Sequence, residues 1–177
     1  MVPGQPIALF ETQLARLLHR LPAISGAPIR IDHVPGLRDR RGPVHAGAFL
    51  RQRRIAFDCT PAEFPRIFIH ELFHFVWLRA GNPIRRSYED ILLAERRARV
   101  RGELGWSAEW RKLALSAASV ENRTRSWREY CCESFCDTAA SLYSGRRAHP
   151  EFTLSARCRK NRARWFRTVL EPKGLSI

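Results

Sequence analysis

Lysine is nearly missing from this chain: all but three of its 31 basic residues are arginine. Acidic residues are scarce too, 17 in 177 positions, so the formal charge is +14 and the isoelectric point lies near 11. No run approaches the roughly 20 apolar residues that a membrane-spanning helix needs. The most apolar stretch, 67–78, is broken by His70, Glu71 and His74. The N-terminus, Met1-Val-Pro-Gly-Gln-Pro6, has neither the basic start nor the apolar core of a secretory signal. These absences predict a cytoplasmic protein with no membrane partner. Cysteines number five, an odd count that argues against a disulfide framework. Cys132 and Cys136 stand one helical turn apart, but cysteine zinc signatures use two pairs, or a pair plus histidines at short spacing. Buried small residues are their expected role.

What remains suits one globular domain over 1–177. The chain is 45% hydrophobic and 10% aromatic, ordinary values for a packed core. The positive charge has two readings. One is a bias toward arginine. The other is an acidic partner such as nucleic acid, drawn to a basic surface whatever its sequence. The C-terminal helix expected at about 156–170 sharpens the second, because six basic residues between Arg157 and Arg167 are interleaved with Trp165 and Phe166.

Periodicity predicts a first helix over 7–21, with Phe10, Leu14, Leu17, Leu18 and Leu21 on one face and Pro22 ending it. Short strands follow at 29–34, 44–50 and 54–58, the last two as a hairpin around the basic turn 51–53. A helix then carries His70, with Pro65 in its first turn and Gly81-Asn82-Pro83 as its stop. Further helices are expected over 87–104 with Ser87 as N-cap, from Ser107 onward, and from Ser126 to about Tyr143. Ser126-Trp-Arg-Glu129 reads as a capping box, and 121–125 as an exposed connection.

His70-Glu71-Leu72-Phe73-His74 carries the chemistry. Histidines four apart on a helix project from one face about a turn apart, close enough to share a tetrahedral zinc ion. Glu71 is rotated to the side, within reach of water at the ion's open position. Burying three such groups among Ile67, Phe68, Phe73, Phe75 and Val76 is costly unless something satisfies them.

Catalytic zinc usually has three protein ligands. A continuation to HExxHxxGxxH is excluded, because Trp77 and Ala80 occupy the glycine and third-histidine positions. The alternative is a glutamate from a second helix. Glu133 and Asp137 are four apart and face the same way, so Glu133 is the expected third ligand. Asp137 would hydrogen-bond the far nitrogen of His70 or His74. Glu129 is the competing ligand, although the capping box gives it a local purpose.

His70-Glu71-Leu72-Phe73-His74 followed by Glu133-Ser134-Phe135-Cys136-Asp137 resembles the HExxH and ExxxD pattern of gluzincins among the zincin-like metallopeptidases. Over about 29–143 the order of elements is also similar to that of the bacterial ImmA/IrrE peptidases. The resemblance implies an α+β, zincin-like domain: a small, partly antiparallel sheet packed on the HExxH helix, with a mostly helical C-terminal part. It implies Zn²⁺ held by His70, His74 and Glu133, and a peptide or protein substrate hydrolysed with Glu71 as general base. It further implies that strand 44–50 or 54–58 pairs with extended substrate. Tyr130, Tyr143, His149 and Arg128 are candidate donors to the substrate carbonyl. The alternative is a nucleic-acid-binding or regulatory domain whose zinc site is structural or silent.

Overall fold

The computed structural model describes residues 5–40 and 42–177. Helix α1 (Gln5–Leu18) leads into strands β1 (Ile24–Ser25) and β2 (Arg30–His33), then into the small ribbon β3 (Arg38–Asp39) and β4 (Gly42–Pro43). Strands β5 (Ala46–Phe49) and β6 (Arg54–Phe57) form the expected hairpin, closed by a 3₁₀ turn at Leu50–Gln52 and by Arg53 in the left-handed region at φ 47°. β6 lies in the middle of a three-stranded sheet, parallel to β2 and antiparallel to β5. The sheet is therefore mixed, and β5 is an edge.

Helix α2 (Phe64–Arg79) carries the motif and is buried on nearly all sides, the behaviour of a helix without a polar face. An aromatic cluster fixes it to the sheet and to α1: Phe64 lies 4.7 Å from Phe57 and 5.0 Å from Phe10, ring centre to ring centre. Leu18, expected on the inner face of α1, is exposed.

Beyond α2 the described chain is mostly helical: α3 (Asn82–Arg97), α4 (Trp106–Leu113), α5 (Ala117–Glu121), α6 (Arg125–Tyr143) and α7 (Ala156–Trp165). α7 runs on through a π turn at Phe166–Leu170 and a 3₁₀ turn at Glu171–Lys173 to β7 (Leu175–Ser176), which pairs with β1. None of these helices is long and apolar enough to cross a membrane.

Three local expectations are corrected. α3 starts at Asn82 with Pro83 in its first turn. Ser87 is therefore internal, donating to the Ile84 carbonyl and accepting from the Trp165 indole. The connection at 121–125 is partly helical, since it takes in the end of α5. At α6 the N-cap is Thr124 rather than Ser126, and Glu129 pairs with Arg125 at 2.7 Å instead of folding back on a cap.

The basic C-terminal helix also faces differently from its sequence. Trp165 and Phe166 lie in the core, Trp165 5.0 Å from Tyr88 and Phe166 stacked 5.1 Å from Phe135. Arg162 is wholly buried. Arg157, Lys160, Arg164 and Arg167 remain exposed, so α7 and its π turn offer solvent charge without aromatic stacking faces.

Candidate metal centre

α2 and α6 pack side by side in opposite directions: His70 meets Asp137, and one turn on His74 meets Cys132. Small buried residues, Cys136, Ala139 and Ala140, line α6. The two histidines turn their Nε2 atoms toward each other at 3.2 Å. Glu133 Oε2 lies 3.3 Å from His70 Nε2. A tetrahedral ion bound at about 2.0–2.1 Å sets its ligand atoms about 3.3 Å apart, the separation of each of these two pairs. The group whose ligand atoms all lie within 4.8 Å of one another is His70, Glu71 and His74, without Glu133. Glu71 contributes an oxygen within 4.8 Å of ligand atoms of both histidines.

The outer contacts are directional. His70 Nδ1–H donates to Asp137 Oδ1 at 2.7 Å, so Nε2 is the nitrogen that would face an ion. Asp137 Oδ2 accepts from the backbone N–H of Ala108 at 3.1 Å. Ala108 is the third residue of α4, whose N-cap is Gly105 and so has no side chain to accept that bond. Asp137 thus caps α4 from another helix, at the end where the dipole favours an anion. A β-carbon at Gly105 would fall on the Asp137 carboxylate, so glycine is what lets the cap approach. Glu151 accepts from the Trp106 N–H in the same turn.

Arg111 of α4 holds the other Glu133 oxygen at 3.2 Å. Glu129 sits on the exposed side of α6, paired with Arg125, so Glu133 rather than Glu129 faces the histidines. Burial pushes the Glu133 carboxyl up, but its hydrogen bond and charge contacts with His70, His74 and Arg111 outweigh this and hold it down at about 2. Burial disfavours charge on His70, yet Asp137 raises its imidazole well above the ordinary range. Removing such a partner typically weakens metal binding about 10–100-fold. Asp137→Ala is expected to lose zinc affinity in that range, read by competition with a chromophoric chelator, with circular dichroism confirming the fold.

His70 and Glu71 open onto a cleft of about 260 Å³, walled also by His45, Ala46, Arg66, Ile67, Trp106, Ser107, Asp137 and Glu151. A larger cavity of about 730 Å³ lies between α3 and α7 and is lined by neither motif histidine. The four carbonyl-donor candidates are engaged elsewhere. Tyr130 donates to Glu103, Tyr143 to Glu171 and Arg128 to the Arg123 carbonyl, while His149 pairs with Glu63.

The sequence reading missed Gly105, Arg111 and His45, none of which carries a local pattern. It also assigned Cys132 to the core, whereas its Sγ lies 3.4 Å from His74 Nδ1. A hydrogen bond from Cys136 lowers the Cys132 thiol to about 6, aided by His74 against the effect of burial. No family model, no curated protein and no solved structure matches the chain.

Proposed function

We propose that this chain is a zinc-dependent peptidase of the zincin type, with His70, His74 and Glu133 as ligands and Glu71 as general base. One observation carries the reading. His70 Nε2 has His74 Nε2 at 3.2 Å and Glu133 Oε2 at 3.3 Å, each a ligand-pair spacing. Glu71 shares a 4.8 Å group with both histidines beside an open cleft, so that binding an ion requires Glu133 to close toward His74. The donor set of two imidazoles and one carboxylate is that of hydrolytic zinc, not of closed structural sites rich in thiolate.

Zinc in this site supplies the Lewis acidity that activates water and polarises a carbonyl. The chain's own groups do the rest. Glu71 takes a proton from the attacking water and passes it to the departing amine. Asp137 keeps the His70 ring in the tautomer that presents Nε2. Arg111 fixes the second oxygen of Glu133, so the carboxylate has one orientation rather than several.

Substrate is aligned by β5. Asp58 N–H donates to the His45 carbonyl across the hairpin, and alternation in an antiparallel ladder then directs the backbone groups of Ala46 and Ala48 to the free edge. β6, in mid-sheet, has no such edge. An extended peptide adds to β5 as a further strand and crosses the cleft beside Glu71. Trp106 lines the cleft while remaining half-exposed, and Trp110 and Leu113 continue an apolar stripe along α4. That stripe gives apolar substrate side chains a place to rest.

The test uses the purified chain loaded with one equivalent of zinc and an unfolded polypeptide, with new N-termini identified by mass spectrometry. Cleavage should stop when a chelator strips the ion and return when zinc is restored. An intact substrate after prolonged incubation with the zinc-loaded protein would count against the proposal.

A further inference from the structure

Two cysteines next to the metal centre take no part in that chemistry. Cys132 and Cys136 are one turn apart on α6, on the side that meets α2. A ligand atom from each, together with one from His74, falls within a single 4.8 Å group. The His74 ring faces two ways: Nε2 toward His70 at 3.2 Å, and Nδ1 toward Cys132 Sγ at 3.4 Å. Cys131, next in sequence, is buried and belongs to no such group among the described residues.

We propose that Cys132, Cys136 and His74 Nδ1 form a second cation site, one that binds a soft, thiophilic ion of the copper(I) class. The donor chemistry restricts the ion to a thiophilic one, zinc included, since two cysteines and a histidine also hold zinc. Two sulfurs and an imidazole nitrogen, with no carboxylate in the group, suit a soft cation and give little to magnesium, calcium or manganese. The spacing suits three-fold coordination. An ion about 2.3 Å from each sulfur and about 2.0 Å from nitrogen sets S to N near about 3.7 Å and S to S near about 4.0 Å. The three ligand atoms already lie within 4.8 Å of one another, with Cys132 Sγ 3.4 Å from His74 Nδ1.

Entry is from the Cys132 side, since Cys132 and His74 are partly exposed whereas Cys136 is buried. Binding releases the remaining thiol protons and any proton on His74 Nδ1 to solvent, and no electron is transferred. His74 is then shared between the two sites, so an ion on the thiols alters the ligand that the first site depends on. The thiol site itself does not depend on whether the neighbouring centre hydrolyses anything.

The probe is copper(I) alone, supplied anaerobically to the reduced, zinc-free chain and measured against a chromophoric copper(I) chelator. The protein should hold one equivalent, and its X-ray absorption should show two sulfur neighbours and one nitrogen. Cys132→Ser and Cys136→Ser should each lower affinity by more than the roughly tenfold that losing even an outer partner costs. Cys131→Ser should leave it unchanged. Cys132 is only partly buried, so its variant carries the test if Cys136→Ser does not fold. Undiminished binding in Cys132→Ser, or a shell without sulfur, would overturn the proposal. So would copper lost in His70→Ala yet kept in Cys132→Ser. His70→Ala that retains copper while losing zinc would support two distinct sites.

Discussion

Glu71→Gln should lower the rate of peptide hydrolysis about 10²–10⁴-fold, the range that a positioned acid–base group contributes. The amide keeps the size of the carboxylate but cannot take a proton from water. Zinc content should be unchanged, because the proposed ligands are His70, His74 and Glu133. The loss should fall on kcat, with KM little moved, since the missing interaction exists only in the transition state. Steady-state kinetics on a defined peptide, with zinc measured in both proteins, reads these quantities together. A variant that also loses zinc would make Glu71, which shares a 4.8 Å group with both histidines, a ligand.

Arg162→Ala should destabilise the fold by about 3–5 kcal/mol, the usual cost of breaking a buried ion pair from one side. Arg162 is fully buried and contacts Glu95 at 2.6 Å and Glu103 at 2.7 Å, with Ser134 and Thr138 of α6 completing the cage. Tyr130 and Lys112 also engage Glu103. Removing the guanidinium leaves two carboxylates inside the protein with too little positive charge to match them.

The pH dependence of this variant follows from Glu103. Burial pushes its carboxyl up, but Arg162 and Lys112 outweigh burial and bring it from 4.5 to about 2. The folded value lies below the unfolded one, so the group stabilises the wild type above about pH 4.5. That contribution fades as pH falls toward about 2. The gap between wild type and Arg162→Ala in urea denaturation should therefore be widest near neutral pH and narrow in acid.

α6 joins these two predictions. Glu133 and Asp137 face the histidines, while Ser134 and Thr138, one position further round, face Arg162. One helix thus carries the candidate metal centre on one side and the buried ion cluster on the other. Loss of the cluster should disturb the centre through the placement of α6.

Spacing made the histidines, Glu71, Glu133 and Asp137 legible in the sequence, because helical periodicity decides which side chains share a face. The same reasoning gave the hairpin and the helical C-terminal part. Contacts between distant segments that no spacing pattern marks were out of its reach. Asp137 caps α4 across 29 positions, and no local pattern at Gly105 announces a cap supplied from elsewhere. Arg162 lies in a run of arginines and reads as surface, because Glu95 and Glu103, which draw it inward, are 67 and 59 positions away. At the start of α6 two local rules competed. Ser126 and Glu129 match a capping box, but Thr124 begins the helix and Arg125 claims Glu129.

The identity of the ligands is the point on which the rest depends. X-ray absorption at the zinc edge, on the chain loaded with one equivalent of zinc, reads it directly. Two imidazole nitrogens and carboxylate oxygen at about 2.0–2.2 Å, with no sulfur, are predicted for His70, His74 and Glu133. Sulfur neighbours at about 2.3 Å would put the ion on Cys132 and Cys136 and contradict the assignment of a hydrolytic centre.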